Sequence, residues 1–253
     1  MWGAGVGLAI ALLGAGVAVA EPVLHWSVPL PVAEVPAGDR LVVADGRTVR
    51  LAGVRLPGPD VPAEEPAAVA RAALEGLVND QMVRLGTQAA PHDRYGRLVA
   101  QIERADGLWL QGALLEQGLV QVQTRPGETA RAGEMLALER AARAARRGLW
   151  AGPRFAVRSA EDLAGAIGSF QIVRGRVHRV APTERYLYLN FGPDWRTDFT
   201  LRLPRAEQAG LAARLGQDLK RLEGREVEVR GFVLEAGGPL IGLSHPEQLE
   251  VLE

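Results

Sequence analysis

The chain has 253 residues, 47% hydrophobic and 23% charged, with a formal net charge of −1, a globular balance that excludes a disordered chain. Residues 37–150 carry 15 arginines against 14 aspartates and glutamates, and residues 168–253 carry 11 arginines and Lys220 against 12 acids. Neither half is a basic domain, so contact with a polyanion has to come from a local patch or cleft. There is no cysteine, which excludes disulfides, thiolate nucleophiles and zinc ribbons.

Residues 2–20 bear no charged side chain, and Ala18-Val19-Ala20 gives a small-x-small ending before Glu21-Pro22. This is the pattern of a secretory signal peptide spanning residues 1–20, and it predicts an exported chain, periplasmic or secreted, with no transmembrane segment after cleavage. An uncleaved membrane anchor is the alternative, because the apolar stretch is almost long enough to span a bilayer. Residues 21–36, rich in proline and valine, are expected to form an extended segment ahead of the first domain.

The first domain is placed at 37–150. Leu41-Val42-Val43 and Thr48-Val49-Arg50-Leu51 flank Asp45-Gly46, a hairpin turn signal. Residues 64–79 are predicted helical from the spacing of Val69, Ala73 and Leu77. Strands are expected at 82–85 and 97–102, a short helix at 109–117 ended by Gly118, and a longer helix at 131–147. In that last helix Leu138, Ala142, Ala145 and Leu149 form the expected buried stripe, and Arg140, Arg143, Arg146 and Arg147 the solvated side.

Residues 151–167 are expected to be a linker to a second domain at 168–253. Its strands are placed at 170–180, 184–191 and 198–203, a helix at 205–221, and further strands at 226–234 and 239–243. Three strands, a helix and two strands is the order of a five-stranded OB barrel. Tyr186 and Tyr188 fall on one strand face, with Trp195 shortly after, as aromatics that stack bases do on such barrels. Arg174, Arg176, His178 and Arg179 could line a neighbouring groove or merely solvate a strand.

Four segments of the first domain resemble a known family. Arg50-Leu51-Ala52-Gly53-Val54 with Pro57 is similar to the RLxGIDxPE segment of thermonucleases, and Asp93-Arg94-Tyr95-Gly96-Arg97 to their DxYGR segment. Gly112 to Val120 resembles their xxLVxxGLA helix, and Ala141 to Trp150 their closing AxxxxxGLW helix. The four occur in family order, so residues 37–150 resemble the thermonuclease (staphylococcal nuclease-like) family. The resemblance implies an α+β fold, a nuclease-type OB barrel with helices, here followed by a second OB-like five-stranded barrel. It also implies calcium-dependent hydrolysis of DNA or RNA, with carboxylates holding the cation, a glutamate acting on water, and two arginines offsetting charge on the phosphoryl oxygens.

Carried over residue by residue, the resemblance assigns the phosphate clamps to Arg50 and Arg97, one calcium carboxylate to Asp39, and a place near the bound nucleotide to Tyr95. Two positions depart from it: Arg55 stands for the second calcium aspartate and Gly58 for the catalytic glutamate. Glycine cannot accept a proton or orient water, and arginine repels a cation. The expectation is therefore a nucleic-acid-binding protein with impaired hydrolysis, in which Arg50, Arg55 and Arg97 form an all-arginine phosphate pocket and no small-molecule cofactor is used. Two alternatives stay open: an active nuclease using calcium with a relocated acid at Asp60, Glu64 or Glu65, and a non-catalytic envelope scaffold with a protein partner. A strand arginine is also commonly just ion-paired, and Arg50 could pair with Asp39.

Overall fold

The computed structural model describes residues 22–58, 64–89 and 91–252. The signal-peptide expectation for residues 1–20 lies outside them.

The first part of the chain runs β1 (His25–Trp26), β2 (Leu30–Ala37), β3 (Arg40–Val43), β4 (Thr48–Leu51), β5 (Val54–Arg55), α1 (Glu64–Val78), β6 (Met82–Thr87), β7 (Leu98–Arg104), α2 (Leu110–Glu116), β8 (Gln121–Val122) and α3 (Ala132–Ala144). Strands β2, β3 and β4 pair antiparallel in succession, β4 pairs parallel with β7, and β7 returns antiparallel through β6 to β2. These pairings close a five-stranded barrel. Its hairpin turn is the expected one, with Gly46 at φ +85° after Asp45.

The barrel's first strand was not expected. Residues 30–37 lie in the segment assigned to an extended leader, yet they pair with both β3 and β6. Pro31 and Pro36 argue against a strand in the sequence, because proline cannot donate to a ladder. Both prolines are exposed here; Pro36 falls within a register shift of the pairing with β3, and Pro31 lies near the start of the strand. Helix α1 has the expected length, but its buried stripe is Ala70, Leu74 and Val78, one residue later than predicted, and Val69 is 49% exposed. The small Ala70 lets the Gly38 turn approach closely: a Cβ at Gly38 would sit 2.6 Å from the Ala70 Cβ.

The second part contains β9 (Arg158–Ser159), β10 (Phe170–Arg176), β11 (Arg179–Pro182), β12 (Tyr186–Asn190), β13 (Thr200–Pro204), α4 (Arg205–Leu215), β14 (Glu226–Phe232), β15 (Leu234–Glu235), β16 (Pro239–Gly242) and β17 (Leu249–Val251). Strands β11, β12 and β13 pair antiparallel, β13 pairs parallel with β16, β16 antiparallel with β15, and β14 antiparallel with β10. The path matches the first barrel, down to a helix between the third and fourth strands and one parallel pairing. The segment 151–167 is more than a linker: β9 pairs parallel with β10, and Ala160, Leu163 and Ala166 enter the second barrel's core.

Each barrel has its own apolar cluster, around Leu41, Leu51, Leu74, Ile102, Leu114 and Met135 in the first and around Val173, Leu189, Leu201, Leu211, Val229 and Ile241 in the second. A third, small cluster of Ala142, Leu149, Trp150 and Ile172 lies between them. Among the described residues no helix is long and apolar enough to cross a membrane.

Candidate nucleic-acid-binding site

Arg50 sits in the middle of β4, opposite Val99 of β7 and Arg40 of β3. That register buries it, leaving the side chain 6% exposed. All three guanidinium nitrogens are engaged. Nη2 donates to Glu128 Oε1, Nη1 donates to the Leu51 carbonyl at 3.4 Å, and Nε lies 3.5 Å from Asp93 Oδ2. Arg97 reaches the same Asp93 oxygen with Nε and Nη2, at 2.8 and 2.7 Å. The two arginines are therefore brought together, as the resemblance implies, but around a shared carboxylate.

Asp93 owes its place to the turn 93–97. Its Oδ1 accepts the amides of Tyr95 and Arg97, and Gly96 supplies φ +73°. Burial opposes its charge, but the Arg97 hydrogen bond and the two amides outweigh that and bring the carboxyl down to about 2. Glu128 comes from the loop after β8 and carries a second neighbour, Arg125, whose Nη1 lies 3.6 Å from Oε2. Burial, and next the charge of Arg50, lower the Arg125 pKa, so positive charge is crowded here. Three arginines from three chain segments thus converge on two carboxylates. Tyr95 is 66% exposed at the rim, with the guanidinium carbon of Arg97 5.1 Å from its ring centre.

The other expected members are elsewhere. Asp39 accepts from Arg40 Nε at 2.9 Å, and only its backbone carbonyl reaches β4, at the Leu51 amide. The expected pairing of Arg50 with Asp39 is replaced by Asp93 and Glu128. Arg55 does not complete an all-arginine pocket. Pairing of β5 with β8 sets it opposite Gln121, to which it donates at 2.9 Å, and its guanidinium lies 4.6 Å over the Phe170 ring of the second barrel. Gly58 is half-buried and brings no side chain. Of the relocated acids, Glu65 is exposed at the start of α1, while Asp60 and the Glu64 side chain lie outside the described residues.

These donors do not fit a calcium ion, which takes six to eight oxygens. Asp39 is tied to an arginine, Arg55 adds positive charge, and Asp93 and Glu128 are both held by guanidinium groups. Among the described residues no three His, Asp or Glu side chains gather to hold a metal.

In the second barrel Tyr186 and Tyr188 lie on one face of β12 with ring centres 6.0 Å apart, while Leu187 and Leu189 point into the core. Trp195 follows on the β12–β13 loop and is 60% exposed. Arg174 pairs with Glu228 at 3.1 Å and, with Arg176, lines a groove beside β9, apart from the face that carries Tyr188.

Of the four arginines expected to be solvated, Arg146 and Arg147 are exposed just past α3, but Arg140 and Arg143 reach the second barrel, and Ala145 of the expected buried stripe is exposed. Arg140 pairs with Glu250 at 2.5 Å and Arg143 with Glu228 at 2.7 Å. Beneath them Glu139, fully buried, accepts from Arg230 at 2.7 Å and from the Val122 amide at 2.7 Å. Thr124 meets His245 Nε2 at 2.7 Å across the same contact. Sequence reasoning missed Glu128, Arg125, Glu139 and Arg230. The polar residue inside an otherwise apolar stripe was a readable signal for Glu139; Glu128 gave none.

No curated protein matches this chain. The model of the staphylococcal nuclease homologue family matches residues 48–152, a segment that holds Arg50, Asp93, Arg97 and Glu128 and ends beyond α3. Over that segment the chain is similar to the staphylococcal nuclease homologue family.

Proposed function

We propose that this protein is an exported, nucleic-acid-binding member of the family that has given up calcium-dependent hydrolysis. The observation that carries the reading is the convergence of Arg50, Arg97 and Arg125 on Asp93 and Glu128, three positive charges against two. A backbone phosphate has the charge and the oxygen geometry to take a carboxylate's place in an arginine fork. Glu128 is the one to exchange, because its Oε2 accepts no hydrogen bond and its neighbour Arg125 is 45% exposed. Arg55 and Gly58 stand where the chemistry would need a metal aspartate and a catalytic glutamate. Export rests on the uncharged residues 2–20 and the Ala18-Val19-Ala20 ending.

The test incubates the purified chain with single-stranded DNA and RNA, with calcium and with chelator. Salt-sensitive binding without cleavage is expected, weakened in Arg125→Ala and weakened further in the Arg50→Ala/Arg97→Ala pair. Chelator-sensitive cleavage refutes the reading, and absence of binding at low salt favours the scaffold.

One observation favours a second reading, an active nuclease with a relocated acid. Glu128 places an under-bonded carboxylate oxygen beside the arginines, where a water-activating group would stand. Cleavage that survives chelator and is lost in Glu128→Gln would establish it.

A further inference from the structure

The outward face of the second barrel holds a cavity of about 500 Å³, within the range of ligand sites, and it lies outside the family match. Strand register builds its floor. Tyr188 stands directly across from Arg202 on β13, and Asn190 directly across from Arg179 on β11 and Thr200 on β13. Neighbours so paired lie about 5 Å apart and share one face. Tyr188, Trp195, Arg179 and Arg202 all line the cavity.

Three features of this face leave groups open to a ligand, with the Trp195 and Arg202 side chains engaged, among the described residues, only in ring contacts, to Arg196 at 4.7 Å and to Tyr186. Arg179 and Arg202 have no carboxylate within ion-pair distance among the described residues, whereas Arg140, Arg143, Arg174 and Arg230 at the barrel contact are all paired. The Arg202 guanidinium instead lies 5.1 Å over the Tyr186 ring. Asn190 Oδ1 accepts from the Thr200 hydroxyl at 3.3 Å, which leaves its amide N–H groups directed elsewhere. Trp195 is exposed on a braced loop. Asp194 N donates to Asp198 Oδ2 at 2.8 Å, Arg196 N to Asp194 Oδ1 at 3.1 Å, and the loop lies so close to Gly238 that a Cβ there would meet Thr197 at 2.8 Å. An exposed tryptophan on a rigid loop costs little to order on binding.

We propose that this face binds single-stranded nucleic acid, with a base stacked between Tyr188 and Trp195 and its phosphate held by Arg179 and Arg202. Two unpaired guanidinium groups call for an anion, and two aromatic faces beside them for a flat ring. Free amide donors on Asn190 suit the polar edge of a base. A duplex offers the phosphates but keeps its bases stacked, so it meets only half of the site. The site is separate from the Arg50–Arg97 cluster and does not rest on the reading given for it.

The test measures fluorescence anisotropy of a labelled short thymidylate oligomer with the full chain, and with Trp195→Ala, Tyr188→Ala and the Arg179→Ala/Arg202→Ala pair. Each aromatic substitution is expected to raise Kd roughly 5- to 150-fold, the range for loss of one stacked base. The arginine pair is expected to lower the slope of log K against log salt by about 1.4, two phosphate contacts' worth on a single strand. An abasic strand of the same length should bind the wild type no better than the thymidylate strand binds Trp195→Ala. Free thymidine monophosphate is the second probe, and equal affinity for it and the oligomer would overturn the strand as occupant. Wild-type affinity in Trp195→Ala and Tyr188→Ala overturns the site, and if Arg125→Ala loses binding in the same series the first-barrel reading still stands. Trp195 is mostly exposed, so its variant keeps the fold.

Discussion

Replacing Arg230 with leucine tests what holds the two barrels together. Arg230 is 3% exposed and donates to Glu139 at 2.7 Å, and Glu139 is fully buried. Its other guanidinium nitrogen lies 3.5 Å from Glu228, itself 2% exposed and shared with Arg143 and Arg174. Burial opposes the charge of Glu228, yet the Arg143 hydrogen bond and the charges of Arg143 and Arg230 outweigh it and hold the carboxyl below its ordinary value. Leucine fills much of the volume but leaves the Glu139 carboxylate facing only the Val122 amide. Stranding one member of a buried pair costs about 3–5 kcal/mol. For a chain of this size each kcal/mol moves Tm by roughly 2–4 °C, so a fall of about 6–20 °C is expected in thermal unfolding followed by circular dichroism at pH 7. The Glu139→Leu/Arg230→Leu pair removes the stranded Glu139 carboxylate, leaves only the buried Val122 amide without its side-chain acceptor, and should recover part of that fall. An Arg230→Leu Tm within a degree or two of the wild type, or a double variant worse than the two single losses added, would refute the lock.

Other outcomes follow from the same geometry. Burial, followed by the charges of Arg214 and Arg125, pushes His245 down to about 4. The unfolded chain therefore binds the proton first, near pH 6.5, so stability is full above about 6.5 and drains away as pH falls toward 4, by about 3 kcal/mol for the whole shift. Urea denaturation at several pH values should show this slope, flattened in His245→Gln; parallel slopes would contradict it. Asp93 contributes stability above its unfolded value of 3.8 and loses it toward about 2. Arg97→Ala should move its carboxyl titration upward by NMR, and an unmoved midpoint would show that Arg97 does not hold it. Gly118 adopts φ +69°, and a Cβ there would lie 2.3 Å from the Arg147 carbonyl oxygen, so Gly118→Ala should cost roughly 2 kcal/mol or more in a melt.

Much of the fold was legible because local rules act alone in it. The Asp45-Gly46 hairpin, the span of α1 and the strand–helix–strand order of the second barrel each follow from residues close in sequence. What failed depended on distant partners. Residues 30–37 look like a leader until β6, some fifty residues on, supplies the ladder that closes the barrel. The arginines of α3 look solvated until the acids of β14 and β17 arrive. The candidate site divides the same way. Arg50 and Arg97 are readable from motifs, but Glu128 lies 78 residues from Arg50, and no spacing rule joins the two.

The departure at position 55 and the added barrel make one argument. In the resemblance, position 55 faces a cation. Here β5 pairs with β8, and β8 lies at the contact with the second barrel, where Val122 accepts from Arg230. A carboxylate at 55 would point at the faces of Phe170 and Phe232, whose π electrons repel negative charge. Arginine reverses that sign, lying 4.6 Å over one ring and 5.8 Å from the other while donating to Gln121. Packing an aromatic strand of a second barrel against this edge therefore favours arginine where calcium chemistry needs aspartate. Under the function proposed above, a glutamate three residues on would then have no cation to work beside. The aromatic strand of the second barrel thus gives arginine at position 55 a structural role of its own.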